Sequence, residues 1–305
     1  MEIVEVTGGE ELERWLAVQN AVFPRGKSTA SGLHDWRRQA EDMVWLLASA
    51  DGADAGAGLA YVGWFSLPGV AGGEIGVLPE LRGRGTGGEL YSALSAWAAA
   101  RGSRELELHV AEDDPKSLAW TERRGFAEVG RNGRMVLDLE SIDEPAVEPP
   151  PGIEIVSWAE RPELAQGIYE AAREAHPDIP GEEDVDIGSF AEWLSRDMQG
   201  SGDRPEAVFV AVSGDEVAGY AKLSLSAEQD ETAYHDLTAV RRSWRGRKIA
   251  SALKASQIAW AKRQGYRKLQ TQNEERNAPI RALNARFGYV LEPGNVTMRG
   301  PLAAK

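Results

Sequence analysis

The segment Gly76–Gly87 reads GVLPELRGRGTG, and Ala239–Ala250, 163 residues further along the chain, reads AVRRSWRGRKIA. Both segments contain an Arg-Gly-Arg triplet, at Arg82–Arg84 and at Arg245–Arg247. The same shift aligns further identical residues without a gap. These pairs are Val77 with Val240, Leu90 with Leu253, Trp97 with Trp260, Gly102 with Gly265, Leu106 with Leu269, Arg123 with Arg286 and Gly125 with Gly288. So many identities in one register indicate that the chain is an internal repeat.

A proline-rich segment lies between the two copies of the repeat. Residues 142–152 read IDEPAVEPPPG, with four prolines and no hydrophobic periodicity, and such a composition favours a stiff, extended connector. We therefore predict an N-terminal domain of residues 1–141, a linker of residues 142–152 and a C-terminal domain of residues 153–305. At 305 residues the chain has the length of two ordinary domains, and we expect the two to pack on each other.

The pattern of hydrophobic residues is the same in both copies. It predicts antiparallel strands first and then a strand–helix–strand unit, an order that is typical of an α/β fold. The long helix after the first Arg-Gly-Arg triplet has Leu90, Leu94, Trp97 and Ala98 on one face. We predict that each domain has a mixed, mostly antiparallel sheet flanked by helices.

The composition limits the partners of the protein. The formal net charge is −14 and there is no cysteine. A chain this acidic is a poor candidate for nucleic-acid binding, which needs clustered Lys and Arg, and it suits a cationic amine better. No apolar run is long enough to span a membrane and no signal peptide is visible, so we expect a cytoplasmic protein without membrane contact. The four histidines are scattered, and we expect no metal site.

The Gly-rich segment of the first copy has the chemistry of a phosphate site. Glycines that enter a helix leave backbone N–H groups unpaired, and the helix dipole makes that end attractive to anions. The absence of Cβ atoms lets a pyrophosphate approach closely, and the arginines add charge for further phosphates. The plain alternative is a Gly-rich turn with solvated arginines.

A dinucleotide site of the Rossmann type is a rival interpretation of the same segment. Gly83, Gly85 and Gly88 satisfy the pattern G-x-G-x-x-G. In the second copy, Lys248 and Ser251 replace the last two of these glycines, so the dinucleotide pattern is not part of the repeat. What survives in both copies is an arginine followed five residues later by a small residue, Arg82 with Gly87 and Arg245 with Ala250.

This shared pattern resembles the acyl-CoA signature of the GCN5-related N-acetyltransferase (GNAT) superfamily, Q/R-x-x-G-x-G/A after a β-strand. The tandem arrangement resembles that of mycothiol synthase-like members. The resemblance implies that acetyl-CoA is the co-substrate, and it implies the residues that bind it. In the first copy these are Val77, Arg82, Gly83, Arg84, Gly85, Thr86 and Gly87. In the second copy they are Val240, Arg245, Gly246, Arg247, Lys248, Ile249, Ala250 and Asn277, with Lys248 in place of the first glycine of the signature.

The resemblance also implies a mechanism of acyl transfer to an amine. A general base takes a proton from the substrate ammonium, the amine attacks the thioester, and a tyrosine often protonates the leaving thiolate. Here Thr121 and Asn284 occupy the position of that tyrosine in the two copies. Asn284 can donate a hydrogen bond but not a proton, so we expect catalysis to depend mainly on positioning.

Three residues on the strand before the turn are candidates for the general base. Glu74 lies on this strand in the first copy, and His235 and Asp236 lie on it in the second. Adjacent residues of a strand face opposite sides, so only one of His235 and Asp236 can point into the cleft. Each of the three also fits a structural or solvated role, and His109 on the next strand fits a structural role better than a catalytic one.

We predict an acyl-CoA-dependent N-acetyltransferase that acts on a primary amine of a small molecule or a protein. A non-catalytic acyl-CoA-binding or sensing protein is the alternative that the two missing tyrosines suggest, and a structural or interaction protein on the same scaffold is the third. The first copy has the complete Gly-rich turn, whereas the second keeps Asn277. The sequence therefore leaves open which copy binds acyl-CoA and which is catalytic.

Overall fold

The computed structural model describes residues 1–40, 42–63, 66–179, 186–225, 231–274 and 277–304. The chain forms two compact units. The first unit consists of Met1–Arg131 together with Asn295–Lys305, and the second unit consists of Asn132–Gly294. The two ends of the chain therefore belong to the same unit. No helix among the described residues is long and apolar enough to cross a membrane.

The first unit is a mixed sheet with helices. Its elements are β1 (Glu2–Glu5), α1 (Gly9–Val22), α2 (Ala30–Gln39), β2 (Asp42–Ala50), β3 (Ala53–Val62), β4 (Val70–Val77), α3 (Thr86–Ala99), β5 (Glu105–Ala111), α4 (Pro115–Glu122) and the first part of β6 (Ala127–Asp138). The strand order is β1-β2-β3-β4-β5-β12, and β12 is the last strand of the chain. Neighbouring strands are antiparallel except β4 and β5, which are parallel.

The second unit has the same plan. Its remaining elements are β7 (Glu154–Ser157), α5 (Ala165–Ala175), α6 (Phe190–Asp197), β8 (Val208–Ser213), β9 (Glu216–Leu225), β10 (Thr232–Val240), α7 (Ile249–Arg263), β11 (Lys268–Glu274), α8 (Ala278–Arg286) and β12 (Val290–Pro301). The strand order is β7-β8-β9-β10-β11-β6, with only β10 and β11 parallel. The prediction of two α/β copies, each with a mixed, mostly antiparallel sheet, is confirmed.

Apolar cores lie on both faces of the sheet in the first unit. On one face, Trp15 of α1 and Leu33 of α2 pack with Leu59 of β3. On the other face, Leu90 of α3 packs with Ala60, the next residue of β3. Because successive residues of a strand face opposite sides, β3 is covered by helices on both of its faces.

The parallel strands of the first unit separate before they end. Pairing of β4 with β5 stops at Gly73 and Leu108, whereas the strands continue to Val77 and Ala111. The last residues of both strands therefore have free edges that face each other across a gap. This gap lies directly before the turn that leads into α3.

The second unit repeats this separation with one difference. Pairing of β10 with β11 stops at Tyr234 and Gln270. The pairing of β10 with β9 is irregular between His235 and Thr238, whereas β4 pairs with β3 without a shift. An extra strand residue changes the direction of the side chains around it. The residues just before the turn are therefore not equivalent in the two copies.

Each unit receives one of its strands from the other half of the sequence. Residues 295–301 of β12 pair with β5, and residues 132–138 of β6 pair with β11. The Tyr91 hydroxyl of α3 donates to the carbonyl oxygen of Pro301 at 2.6 Å, and Leu302 packs into the core beside α3. The predicted boundaries at residues 141 and 153 stay a prediction about autonomous domains, because the compact units are not contiguous in sequence.

The proline-rich segment is held by α7 of the second unit. Residues 142–152, all of which are described, form neither a helix nor a strand. The Lys262 ammonium donates to the carbonyl oxygen of Ile142 at 2.8 Å, and Arg263 pairs with Glu144. The start of this segment is therefore anchored by its neighbouring helix.

We expect a fragment of residues 1–141 to be insoluble, because without β12 the edge of β5 is an open template for aggregation. Joining residues 295–305 to residue 131 through a flexible Gly/Ser linker should restore a soluble protein that unfolds cooperatively. The control is the same fusion with Val296→Asp and Met298→Asp, which remove the apolar contacts of β12. This control protein should remain insoluble. Soluble yield and thermal unfolding measure the effect. A well-folded 1–141 fragment would show that the first unit does not need the exchanged strand.

Candidate functional site

The turn between β4 and α3 presents unpaired backbone N–H groups in the first unit. A short 3₁₀ turn, Pro79–Leu81, follows β4, and α3 begins at Thr86. Gly85 has a φ of 95°, in the left-handed region that suits glycine. Within the described part of the chain, the backbone N–H groups of residues 83–87 have no acceptor. These N–H groups and the helix dipole are available to an anion.

The turn forms one end of a cavity in the first unit. The cavity has a volume of about 520 Å³, within the range of roughly 300–1,000 Å³ typical of small-molecule sites. Ile75 and Val77 of β4, Leu108 and His109 of β5 and Trp120 of α4 line it. The cavity thus occupies the gap where β4 and β5 separate.

Arg82 is held at the entrance of this cavity by the strand that precedes it. Its Nε donates to the carbonyl oxygen of Val77 at 3.1 Å. Its Nη1 lies 3.4 Å from a carboxylate oxygen of Asp114, which also caps α4 by accepting from the backbone N–H of Ser117 at 3.1 Å. The long Asp114 contact leaves donors of the guanidinium available to a ligand.

Further cations line the cavity on the side of α4. Lys116, Arg123 and Arg124 all contribute to its wall. The side chains of Lys116 and Arg123 form no ion pair or hydrogen bond with any residue in the described part of the chain. The Arg124 guanidinium lies 3.8 Å from the centre of the Trp120 ring. In a chain of net charge −14, such a cluster favours a ligand with several negative charges.

The second unit reproduces the backbone of the turn with different chemistry. Lys248 has a φ of 65° and takes the left-handed place of Gly85. The backbone N–H groups of residues 246–250 again have no acceptor among the described residues. Asn277 lies at the N-cap of α8, but its side chain does not cap the helix.

Carboxylates of the second unit bind the arginines of its turn. Asp178 contacts Arg245 Nη2 at 2.6 Å and Arg242 Nη2 at 2.8 Å, and Glu174 contacts Arg241 Nε at 3.1 Å. Hydrogen bonds from Arg242 and Arg245 lower the pKa of the Asp178 carboxyl below its ordinary value. The Asp178 carboxylate therefore stays ionised, and it already forms an ion pair with Arg245, the residue that corresponds to Arg82.

Glu74 lies on the face of β4 that α1 covers, and it is partly exposed. The side-chain amide of Gln19 on α1 donates to its carboxylate. Burial raises the pKa of the Glu74 carboxyl above its ordinary value, and the hydrogen bond from Gln19 opposes this rise. Ile75, the next residue of β4, lines the cavity, and a carboxyl group with a raised pKa is suited to act as a general base.

His235 lies in the core of the second unit and not in its cleft. It is 7% exposed, Nδ1 lies 3.0 Å from the Gln257 side-chain oxygen, and Nε2 contacts the Tyr289 hydroxyl. Burial and the charge of Lys254 lower the pKa of His235 well below its ordinary value. The ring is thus a neutral member of a buried network, which gives no support to its prediction as a general base.

Asp236 is exposed but already paired. One of its carboxylate oxygens lies 2.7 Å from the ammonium of the buried Lys222 and accepts from the Ser224 hydroxyl at 3.2 Å. Burial opposes the charge of Lys222, but Asp236 and Asp203 raise its pKa above the ordinary value. Because Lys222 stays protonated, Asp236 serves as its counter-ion, and this role competes with the predicted one as a base.

The two residues at the position of the missing tyrosine differ in their access to a ligand. Asn284 is 0% exposed and its amide donates to the side-chain oxygen of Asn273 at 2.8 Å. Thr121 lines the cavity of the first unit, and its hydroxyl donates to the carbonyl oxygen of Leu118 at 2.8 Å. Asn284 is therefore a core residue, whereas Thr121 touches the space where a ligand would bind.

Sequence reasoning did not find three contributors to these sites. His109, which we expected to be structural, lines the cavity; the alternation of β5 places it on the same face as Glu107 and was the available signal. Gln19 and Asp178 act on residues 55 and 67 positions away, and no local motif marks such partners. Among the described residues, no group of three His, Asp or Glu side chains is arranged to hold a metal ion.

Comparison with known proteins agrees with this architecture. A sequence model of the acetyltransferase (GNAT) family matches residues 10–126 and 165–289. The chain resembles a GCN5-related N-acetyltransferase from Sphaerobacter thermophilus, with a TM-score of 0.76 and 22% identity over 99% of this chain and 96% of that one. It also resembles a tandem GNAT protein from the clavulanic acid biosynthesis pathway, with a TM-score of 0.79 and 20% identity over 100% and 99% of the two chains. At these identities the structural likeness shows the fold alone.

Lys248→Gly should stabilise the second unit by about 1 kcal/mol, because the left-handed conformation is strained for a side chain with a Cβ atom. Arg247→Gly is the matched control. Arg247 does not have a positive φ, so glycine there should lower stability through backbone entropy. Denaturant unfolding of both variants measures the difference. A loss of stability in Lys248→Gly would mean that the lysine side chain makes contacts that outweigh the strain.

Proposed function

Because the chain belongs to the acetyltransferase (GNAT) family, whose members transfer acyl groups from acyl-CoA, we propose that its first unit transfers an acetyl group from acetyl-CoA to a primary amine of a small molecule or a protein. The observation that carries this proposal is the cavity in the first unit, which is lined by a helix N-terminus, by a cluster of cations and by His109. Glu74 directly precedes Ile75, which also lines the cavity. The cavity therefore offers binding groups for a polyanion, and a candidate proton acceptor lies on the same sheet.

The residues around the turn fit the phosphates of acetyl-CoA. We assign the pyrophosphate to the N–H groups of residues 83–87 and to Arg82, which together offer donors and charge. Lys116, Arg123 and Arg124 remain for the additional phosphate of the CoA nucleotide, because they lie on the neighbouring wall of the cavity. The narrow gap between β4 and β5 then receives the extended pantetheine arm.

Glu74 is the base in this proposal. The acceptor ammonium gives one proton to Glu74, and the amine nitrogen then forms a bond to the acetyl carbon. The carbon–sulfur bond breaks, and the second proton of the nitrogen passes to the leaving sulfur through solvent. A thiol has an ordinary pKa of about 8.5, so the sulfur leaves without a dedicated acid, which agrees with the presence of Thr121 at the position of the family tyrosine.

The second unit is a poor competitor for acetyl-CoA in this proposal. Its Arg245 is bound by Asp178 at 2.6 Å, whereas the contact of Arg82 with Asp114 is 3.4 Å. An anionic ligand at the second turn has to displace a carboxylate that is held by two arginines. Its candidates for the base, His235 and Asp236, are also committed to other partners.

A non-catalytic acyl-CoA-binding protein is the second candidate function. It is favoured because neither Thr121 nor Asn284 can protonate a leaving thiolate. The Thr121 hydroxyl and the Asn284 amide also already donate hydrogen bonds to other residues of the protein. This candidate shares the acyl-CoA site with the first proposal but requires no base. Release of CoA in the presence of an amine distinguishes the two.

Calorimetric titration of acetyl-CoA should show a single site that depends on the first unit. We expect Arg82→Ala to weaken binding by about tenfold to a hundredfold, since hydrogen bonds to charged groups contribute about 1.5–3 kcal/mol. Arg245→Ala, the matched variant of the second copy, should leave binding unchanged. If Arg245→Ala abolished binding and Arg82→Ala did not, the assignment of the site to the first unit would be wrong.

Glu74→Gln should lower kcat by about 10²–10⁴ without changing the affinity for acetyl-CoA. In the wild type, kcat/KM should rise with pH as Glu74 loses its proton, and the raised pKa places this rise above the ordinary carboxyl range. Gln19→Leu removes the bond that lowers the Glu74 pKa, so the rise should move to higher pH. The pH profiles of kcat/KM measure both effects. An unchanged profile in Gln19→Leu would exclude Glu74 as the group that titrates.

A further inference from the structure

Polar side chains cross the sheet of the first unit on the face that α1 and α2 cover. Tyr61 of β3 is paired with Gly72 of β4, and Gly72 is paired with Glu107 of β5. Glu107 is paired in turn with Arg299 of β12. A Cβ atom on Gly72 would lie 2.2 Å from the Tyr61 ring, so glycine is required for the phenol to lie across β4.

A second row runs beside the first, toward the cavity. Glu74 follows the last paired residues of β4, and His109 follows those of β5. His109 is paired with Thr297 of β12, whose hydroxyl lies 3.3 Å from its Nδ1. His109 also lines the cavity. The two rows together form a polar strip made of Tyr61, Glu74, Glu107, His109, Thr297 and Arg299, which continues from the wall of the proposed acetyl-CoA site.

The strip contains two carboxylates, Glu74 and Glu107, but a single guanidinium, that of Arg299. Arg299 donates through Nε at 3.0 Å and Nη2 at 2.7 Å to one oxygen of Glu107. The exposed fractions of the two side chains are 25% and 24%, so a ligand can reach the pair. Burial raises the pKa of Tyr61, and the charges of Glu107 and Glu74 raise it further. With both carboxylates ionised, the strip carries one net negative charge.

One buried atom beside the strip lacks a partner. Gln19 is 1% exposed, and its amide nitrogen donates to Glu74. Its side-chain oxygen has no hydrogen-bond partner among the described residues. A buried acceptor without a donor is costly, and an ammonium group bound at Glu74 supplies a donor at this place.

We propose that the polar strip is the acceptor site, that it binds a substrate presenting a single ammonium group, and that Arg299 sets this charge preference by neutralising Glu107. The inference rests on the proposed acetyl transfer by the first unit. Arg299 and Thr297 belong to the last strand of the chain, so the site of the N-terminal half is completed by C-terminal residues. Without Arg299 the strip carries two negative charges and favours a dication.

Two amines of equal chain length, butylamine and 1,4-diaminobutane, test this charge preference by CoA release. Arg299→Met should raise the ratio of kcat/KM for the diamine over that for the monoamine by about five- to tenfold. Arg299→Lys keeps the charge and should restore the wild-type ratio, and Glu107→Gln should lower kcat/KM for both amines. Arg134→Met removes an ion pair with Glu292 in the second unit and should leave the ratio unchanged.

An equal change of kcat/KM for both amines in Arg299→Met would overturn the proposal, because a structural ion pair has no reason to sense acceptor charge. Thermal unfolding of Arg299→Met and Arg299→Lys shows whether a common loss of activity comes from folding. Absence of turnover with either amine, while acetyl-CoA still binds, would also overturn the acceptor site but not the acyl-CoA site. Absence of acetyl-CoA binding would instead overturn the proposed function itself.

Discussion

The early end of the pairing between β4 and β5 is the constraint on which the site of the first unit depends. Parallel strands that stay paired leave no space between them, and here the pairing stops at Gly73 and Leu108 while both strands continue. The gap gives the cavity its position, and the turn after β4 closes one end of it with unpaired N–H groups. Side chains past the last paired residues, such as Ile75 and His109, therefore reach a space that the sheet would otherwise fill.

The two copies show how one backbone turn acquires different properties through its partners. Gly85 and Lys248 adopt the same left-handed conformation, so the N–H groups after each arginine are arranged alike. In the second unit the negative charge of Asp178 already pairs with the guanidinium that Arg245 would otherwise offer to an anionic ligand. An internal carboxylate is present at a very high effective concentration, and an external anion therefore competes poorly with it. Duplication preserved the geometry of the turn, and ion pairing changed what that geometry can bind.

Because β12 pairs with β5 and β6 pairs with β11, each unit contains residues from both halves of the sequence. The register of β12 against β5 places Arg299 beside Glu107 and Thr297 beside His109. Since side chains alternate along a strand, a slip of one residue would turn both away from this face. The C-terminal strand thus covers an edge of the sheet and also adjusts the charge near the cavity. The two copies of the sequence repeat therefore do not coincide with the two compact units.

The sequence by itself determined the repeat, the α/β class and the place of the Gly-rich turn that we propose as the phosphate site, because periodicity and Gly-Arg patterns act over a few residues. It also predicted, from the alternation of a strand, that only one of His235 and Asp236 faces the cleft. Only the tertiary structure decided that His235 enters the core and that Asp236 serves Lys222. It also decided the partners of the turn arginines and the contact of Arg299 with a residue 192 positions away. Such contacts arise from strand order and register, which bring together side chains that no local pattern relates.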